Sequence, residues 1–412
     1  MSTNKIKQIF INRYFEGGKC QNDGIYDWGT KKRIVAFGDI HADFSALIEC
    51  LVIGNVLTVI KPLGDYNKLP DDFVIEEYFL FTCKDTYIVQ LGDCLDGYRL
   101  KRMGHMYPAE YKIFRLFEYI DSIAEKTNCK LIVIIGNHEM YNYDCINNLD
   151  NALTKESKNV QDFEVKNICI NKHSKECIDG KKLLNVKDRC KYFRSDWLAK
   201  KPFHAITKIG HIVMVHAGVD PKNKTEFAKY LQSQGYKGES NDIIKNADKN
   251  GDKFIKIINR ATEEYIKNDG KIKDKDLSRL FQNSVYNKFK PFNPNVLFYT
   301  RFFAHERNYS SNNLIRQTCS QLKDILKNLL LLNEKGCLIV GHTVVRHKNM
   351  TGGSKKNKKN KDVNKLNNQF DSKIKGIFGI DHKCDGKIWR TDAAMSRSCL
   401  LYTSPSPRDG LL

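Results

Sequence analysis

Six short apolar runs in this chain each end in a residue that can bind metal or phosphate, and few architectures accommodate that pattern. Residues 34–37 lead into Gly38-Asp39-Ile40-His41, residues 87–91 into Gly92-Asp93-Cys94-Leu95-Asp96, and residues 131–135 into Gly136-Asn137-His138-Glu139. Residues 212–215 lead into His216-Ala217-Gly218, and residues 337–340 into Gly341-His342-Thr343. The sixth run, 296–299, differs in kind and leads into Thr300-Arg301. Strands buried on both faces read as unbroken apolar runs, and open α/β sheets place ligands at the carboxyl ends of their strands. One Asp or His after a strand means little. Five endings that together offer Asp, His, Asp, Asn, His and His favour a two-metal site.

Strands alternate with helical patterns, notably at 44–59, 109–125 and 314–332, which predicts an α/β layered sandwich in a single domain. Residues 1–30 read as a polar N-terminal arm and 31–398 as the domain proper. Inside it, 145–195 reads as a polar insertion, 222–294 as a helical cap over the site, and 347–373 as a disordered Lys/Asn-rich loop. Two late strands are expected, at 374–380 and 387–390. From Cys399 onward the sequence resembles a translated sequencing-library adapter, so 399–412 is set aside as non-native.

Composition removes several function classes. No stretch approaches the roughly 20 uncharged apolar residues that a membrane span requires, and residues 1–13 lack the pattern of a secretory signal. The 13 cysteines are odd in number and contain no C-x-x-C, which favours reduced thiols and a cytoplasmic location over a zinc ribbon. A formal charge of +20 raises nucleic acid as a partner, but much of it sits in the loop after Arg346, without interleaved aromatics. Nucleic acid is therefore disfavoured, and phosphorylated or acidic partners are the milder inference. Asp248-Lys249-Asn250-Gly251-Asp252 has the start of a calcium loop but places Lys253 and Asn259 where an EF-hand needs Gly and Glu.

The remaining residues suit phosphoryl chemistry. Asp39 and His41 can turn toward one ion, Asp93 can bridge two, and Asn137, His216 and His342 can complete the second. Mixed nitrogen and oxygen ligands suit Mn, with Fe or Zn as alternatives, better than Mg or Ca. Two ions about 3.5–4 Å apart can hold a bridging hydroxide for in-line attack on phosphorus. His138, beside the ligand Asn137, is better used as the acid that protonates the leaving oxygen, with Asp96 as its partner. Arg301 offers the guanidinium fork that a dianionic phosphate needs.

Gly-Asp-x-His at 38–41, Gly-Asp-x-x-Asp at 92–96, Gly-Asn-His-Glu at 136–139, His-Ala-Gly at 216–218 and Gly-His-Thr at 341–343 resemble the calcineurin-like metallophosphoesterase superfamily. Residues 136–142, Trp197 with Pro202, Tyr299 with Arg301, and 385–392 through Met395-Ser396 are similar to its Shewanella-like protein phosphatase branch. The resemblance implies an αββα sandwich and metal-dependent hydrolysis of phosphate monoesters on phosphoproteins; no sequence feature calls for an obligate partner subunit. It puts Asp39, His41 and Asp93 on one metal and Asp93, Asn137, His216 and His342 on the other, with Asn137 also near phosphate. Two departures stand out. Gly97 follows Asp96 where the family usually has Arg, so either Arg99, or less favourably Arg102, contacts phosphate from a shifted position or Arg301 works alone, and Ala42 replaces a common Gly. A small phosphoester such as a dinucleoside polyphosphate is the alternative substrate, and a non-catalytic phosphate-binding scaffold is the alternative of another class.

Overall fold

The computed structural model describes residues 24–70, 72–95, 110–140, 143, 203–287, 290, 293–343 and 381–392. Two sheets face each other. The first holds β2 (Arg33–Phe37), β5 (Thr86–Gln90), β6 (Lys130–Ile134) and β7 (Phe203–His204), in that order and all parallel. The second runs β1 (Ile25–Tyr26), β8 (Ile206–Ile209), β9 (Ile212–Val215), β10 (Cys337–Val340), β12 (Ile388–Arg390) and β11 (Asp381–Lys383). Within it β9, β10 and β12 are parallel neighbours. A separate hairpin pairs β3 (Leu57–Val59) with β4 (Phe79–Phe81).

Side-chain alternation builds the layers. Tyr87 and Val89 of β5, Ile132 and Ile134 of β6, and Ile209 and Met214 of the second sheet form one apolar cluster between the sheets. Their neighbours Ile88, Leu131, Val213, Leu338 and Val340 point the other way, into the cluster shared with the helices. The result is helix, sheet, sheet, helix, the four-layer sandwich expected from the sequence. On the first sheet lie α1 (Phe44–Ile53), whose N-terminus Asp43 caps by accepting from Ala46 N–H at 3.1 Å, and α2 (Glu110–Ala124).

The segment read as a cap consists of four helices: α3 (Pro221–Ser233), α4 (Ser240–Ala247), α5 (Lys253–Lys267) and α6 (Lys275–Ser284). Its α5 packs on β7 and β8, where Asn259 accepts from Ala205 N–H and donates to the Ile206 carbonyl, so it belongs to an outer layer. Then α7 (Asn312–Asn328) precedes β10.

Several expectations need correction. Residues 296–299 form turns, with Thr300 N–H donating to the Val296 carbonyl at 2.8 Å, and not a sixth strand. Val296, Leu297 and Phe298 are buried, and a short buried turn has the same composition as a short strand. The helix expected over 44–59 stops at Gly54, and Leu57–Val59 pairs as β3. The arm expected over 1–30 ends inside the fold, because Ile25–Tyr26 pairs with β8 as its edge strand. Reduced thiols throughout are also not what is found: Cys319 of α7 and Cys384 form a disulfide across 65 residues. In the chain-entropy view that loop length contributes on the order of 4 kcal/mol. Such a bond lasts in oxidising surroundings, which removes the cysteine argument for a cytoplasmic location. Residues 145–195, 347–373, 374–380 and 399–412 lie outside the described residues. No helix among the described residues is long and apolar enough to cross a membrane.

Packing between the sheets has a pH signature. His204 ends β7 buried against Tyr26 of the other sheet, with Tyr26 Oη 3.1 Å from His204 Nε2. Burial, reinforced by Lys130, lowers its pKa to about 4 from an ordinary value near 6.5. An unfolded chain therefore takes up this proton first as pH falls. Stability is fully present above pH 6.5 and declines toward pH 4, at up to about 1.4 kcal/mol per pH unit. Urea midpoints of wild type and His204→Gln at pH 7, 5.5 and 4.5 check this. The variant is expected to lose less stability across that window than wild type does.

Candidate metal centre

Register brings the strand ends into line. In the first sheet Phe37 is level with Gln90, and Gln90 with Val133, so Asp39, Asp93 and Asn137 emerge side by side just beyond. In the second sheet Val215 is level with Val340, so His216 and His342 follow together. The turns carrying them are tight. Asp93, His41 and His342 all have left-handed backbones, with φ of 55°, 47° and 62°, a conformation that costs non-glycine residues energy and clusters at functional sites. Ala42 shares it at 55°, a conformation that glycine adopts without steric cost. Gly92 and Gly136 allow the close approach: a Cβ on Gly92 would lie 2.8 Å from His216 Nδ1, and one on Gly136 2.2 Å from Asp93 Oδ1.

All six expected ligands converge and are buried. Around His216 Nε2 lie Asn137 Oδ1 at 3.0 Å, His342 Nδ1 at 3.1 Å and Asp93 Oδ2 at 3.4 Å. On the other side of Asp93, His41 Nε2 lies 3.9 Å from Asp39 Oδ2 and 4.0 Å from Asp93 Oδ2. Asp93 thus belongs to both groups: Asp39, Asp93, His216 and His342 in one, and His41, Asp93 and His138 in the other. The structure places Asp39 between the two sets, 3.9 Å from His216 Nδ1 as well as from His41.

The donor chemistry fits cations. His216 Nδ1 lies 2.8 Å from the Leu91 carbonyl, which can only accept, so that nitrogen carries a proton and Nε2 is the atom offered to the site. His41 is oriented the same way by the Leu95 carbonyl, 3.2 Å from its Nδ1. Without a cation, burial disfavours a charge on His216, yet Asp93 and then Asp39 outweigh it and raise its pKa to about 9. One proton on Nε2 can satisfy only one of three neighbours, whereas a cation meets them all. Atoms about 2.0–2.2 Å from a shared ion sit about 3.0–3.5 Å from each other, which matches the distances around His216. His342 is kept neutral by burial, with His216 and Arg301 adding to the effect, and its Nε2 is buried with no hydrogen-bond partner among the described residues.

His138 stands slightly apart. Its backbone N–H donates to Asp93 Oδ1 at 2.9 Å, its Nε2 is 3.9 Å from Asp93 Oδ2, and its ring meets His41 edge-on at 4.8 Å. At 16% side-chain exposure it is the most accessible of these groups. Arg301 is exposed and lies over the Tyr299 ring at 5.9 Å, and Tyr299 in turn packs on His342 at 5.1 Å. Asp96, Arg99, Arg102, Trp197, Pro202, Met395 and Ser396 lie outside the described residues.

Glu139 has a function that its motif alone did not reveal. Its carboxylate accepts from Asp93, Cys94 and Leu95 N–H at 2.8, 2.8 and 3.2 Å, and from Gly136 N–H at 2.8 Å. Four backbone donors on one side chain tie the loop after β5 to the loop after β6. Burial and Asp93 push this carboxyl up to about 7.

Among solved structures, the chain is similar to a cold-active protein-tyrosine phosphatase of a psychrophilic Shewanella species, at 14% identity and a TM-score of 0.45, over 90% of this chain and 73% of that one. It is also similar to the phosphatase domain of the Legionella effector WipB, at 11% identity and a TM-score of 0.34, over 61% and 91%. No curated protein matches. The sequence model for the calcineurin-like phosphoesterases matches residues 32–306, a span that runs from the first strand of the site through Arg301. With more than half its length so matched, and with the Asp, Asn and His residues of that span gathered at its strand ends, the chain belongs to the calcineurin-like phosphoesterase family.

Proposed function

We propose that this phosphoesterase is a metal-dependent phosphatase that hydrolyses phosphate monoesters, with phosphoproteins as its substrate class. The observation that carries the reading is Asp93, a buried carboxylate shared by two ligand groups, with the accessible His138 beside it. Mixed Asp, Asn and His ligands favour Mn, with Fe or Zn as alternatives. Bound cations supply positive charge to the phosphoryl oxygens and acidify water.

The chain's own residues do the rest. Arg301, held over Tyr299 beside His342, receives the phosphate oxygens in a guanidinium fork. His138 gives the proton on Nε2 to the ester oxygen as the P–O bond breaks, so an alcohol departs and not an alkoxide. Glu139 keeps the loops bearing Asp93 and His138 in register throughout. The phosphoprotein assignment is supported by the likeness of residues 136–142 and 385–392 to protein phosphatases.

The test begins with EDTA-stripped protein assayed on p-nitrophenyl phosphate before and after MnCl₂ is restored. Mn-dependent release of p-nitrophenol is expected, followed by phosphate release from phosphoserine or phosphotyrosine peptides. No metal-dependent release would overturn the catalytic reading. Activity confined to diadenosine polyphosphates would overturn the substrate class.

A further inference from the structure

A further strand end reaches the site, and its residue lies in none of the ligand sets above. Arg390, the last residue of β12, is level with Val340 of β10. His342 stands two residues beyond Val340, and Asp392 stands two residues beyond Arg390. The alignment persists past the strand, because Thr391 N–H donates to the Val340 carbonyl at 2.8 Å and its hydroxyl to the same oxygen at 3.0 Å. β12 is fixed on its other side by Arg390, wholly buried, whose Nη1 donates to the Ala304 carbonyl at 2.8 Å.

Asp392 therefore emerges beside His342 and is itself only 1% exposed. It also meets the opposite sheet. A Cβ on Gly38 would lie 3.3 Å from Asp392 Cα and 3.2 Å from the Thr391 carbonyl, so the two segments approach closely one residue before Asp39. Asp39 itself is buried there, at 4% exposure. Asp39, Asp93 and Asp392 thus place three buried carboxylates at the junction of the sheets, an arrangement that costs energy unless positive charge compensates it.

We propose that Asp392 is a positioning carboxylate of this centre: without being one of the six ligands, its charge strengthens cation binding at the subsite of Asp39, His41 and Asp93. The inference rests on the metal-centre reading given under the proposed function. Asp392→Asn keeps the shape and removes the charge, whereas Asp392→Glu keeps the charge.

The experiment titrates MnCl₂ by calorimetry into EDTA-stripped full-length wild type and both variants, and measures Tm of each with and without metal. The expected result is about tenfold or greater weakening of one Mn site in the Asn variant, with the Glu variant near wild type. The stripped Asn variant should melt no lower than wild type, while its Mn-induced rise in Tm shrinks. A merely structural residue would instead lower the stripped Tm of both variants and leave Mn affinity unchanged, and that outcome overturns the inference alone. Failure of wild type to bind Mn would overturn the metal-centre reading beneath it as well.

Discussion

Asp93→Asn is expected to cut Mn-dependent hydrolysis of p-nitrophenyl phosphate by about 10³-fold or more and to release bound metal. The expectation follows from the crowding of imidazoles around one carboxylate. Asp93 Oδ2 lies 3.4 Å from His216 Nε2, 3.9 Å from His138 Nε2 and 4.0 Å from His41 Nε2. Burial pushes its pKa up, but His216, His138 and His41 outweigh that and hold it well below the ordinary carboxylate range. The group is an anion by construction, and Asn removes that charge with little change of shape.

The fold should tolerate the exchange. Asn accepts the left-handed backbone at this position as readily as Asp does, and the Asp93 N–H stays bonded to Glu139 whatever the side chain. Metal analysis of the purified variant, with circular dichroism to confirm folding, separates loss of the centre from loss of structure. A variant that keeps both its metal and turnover within tenfold of wild type would show that catalysis does not depend on this carboxylate.

The parts legible in the sequence were those in which one physical constraint acts on each residue in turn. β5, β6, β9 and β10 are parallel strands with helices or a second sheet on each face, so nearly every position is apolar and the runs are plain to see. The clustered Asp, Asn and His residues follow directly, because they stand at the ends of those strands. The same criterion failed at 296–299, where burial comes from turns packed against neighbouring loops, and burial without regular structure leaves an identical apolar run. It also ran α1 too far, since Gly54 and the left-handed Asn55, at φ 49°, reverse the chain before Leu57 without interrupting the apolar spacing.

What was not legible depends on partners distant in sequence. Glu139 is ordinary until the backbones after β5 and β6 turn their N–H groups toward it. Cys319 and Cys384 are two among 13 cysteines until α7 and the turn before β12 bring them together. Asp392 depends on sheet order, for only the placement of β12 beside β10 puts it next to His342. Two-residue strands such as Ile25–Tyr26 are too short to show any period, so this one leaves no mark in the sequence.

His138→Ala is expected to slow turnover by about 10²–10⁴-fold while metal content stays near that of wild type. Geometry makes this a sharp test, because His138 is close enough to Asp93 and His41 to be grouped with them as a ligand set, yet it is the accessible member of that set. A leaving-group acid and a ligand answer differently to substrate chemistry. If His138 protonates the departing oxygen, the deficit should be largest for alkyl phosphates and phosphoserine peptides, whose alkoxides leave poorly. It should be smaller for p-nitrophenyl phosphate, whose phenolate needs little help. If His138 holds metal, the loss should be equal across substrates and should track the metal content of the preparation. Rates for three esters of graded leaving-group pKa, normalised to bound Mn, decide the matter. A flat dependence together with depleted metal would move His138 into the coordination shell and leave the source of the departing proton to another residue.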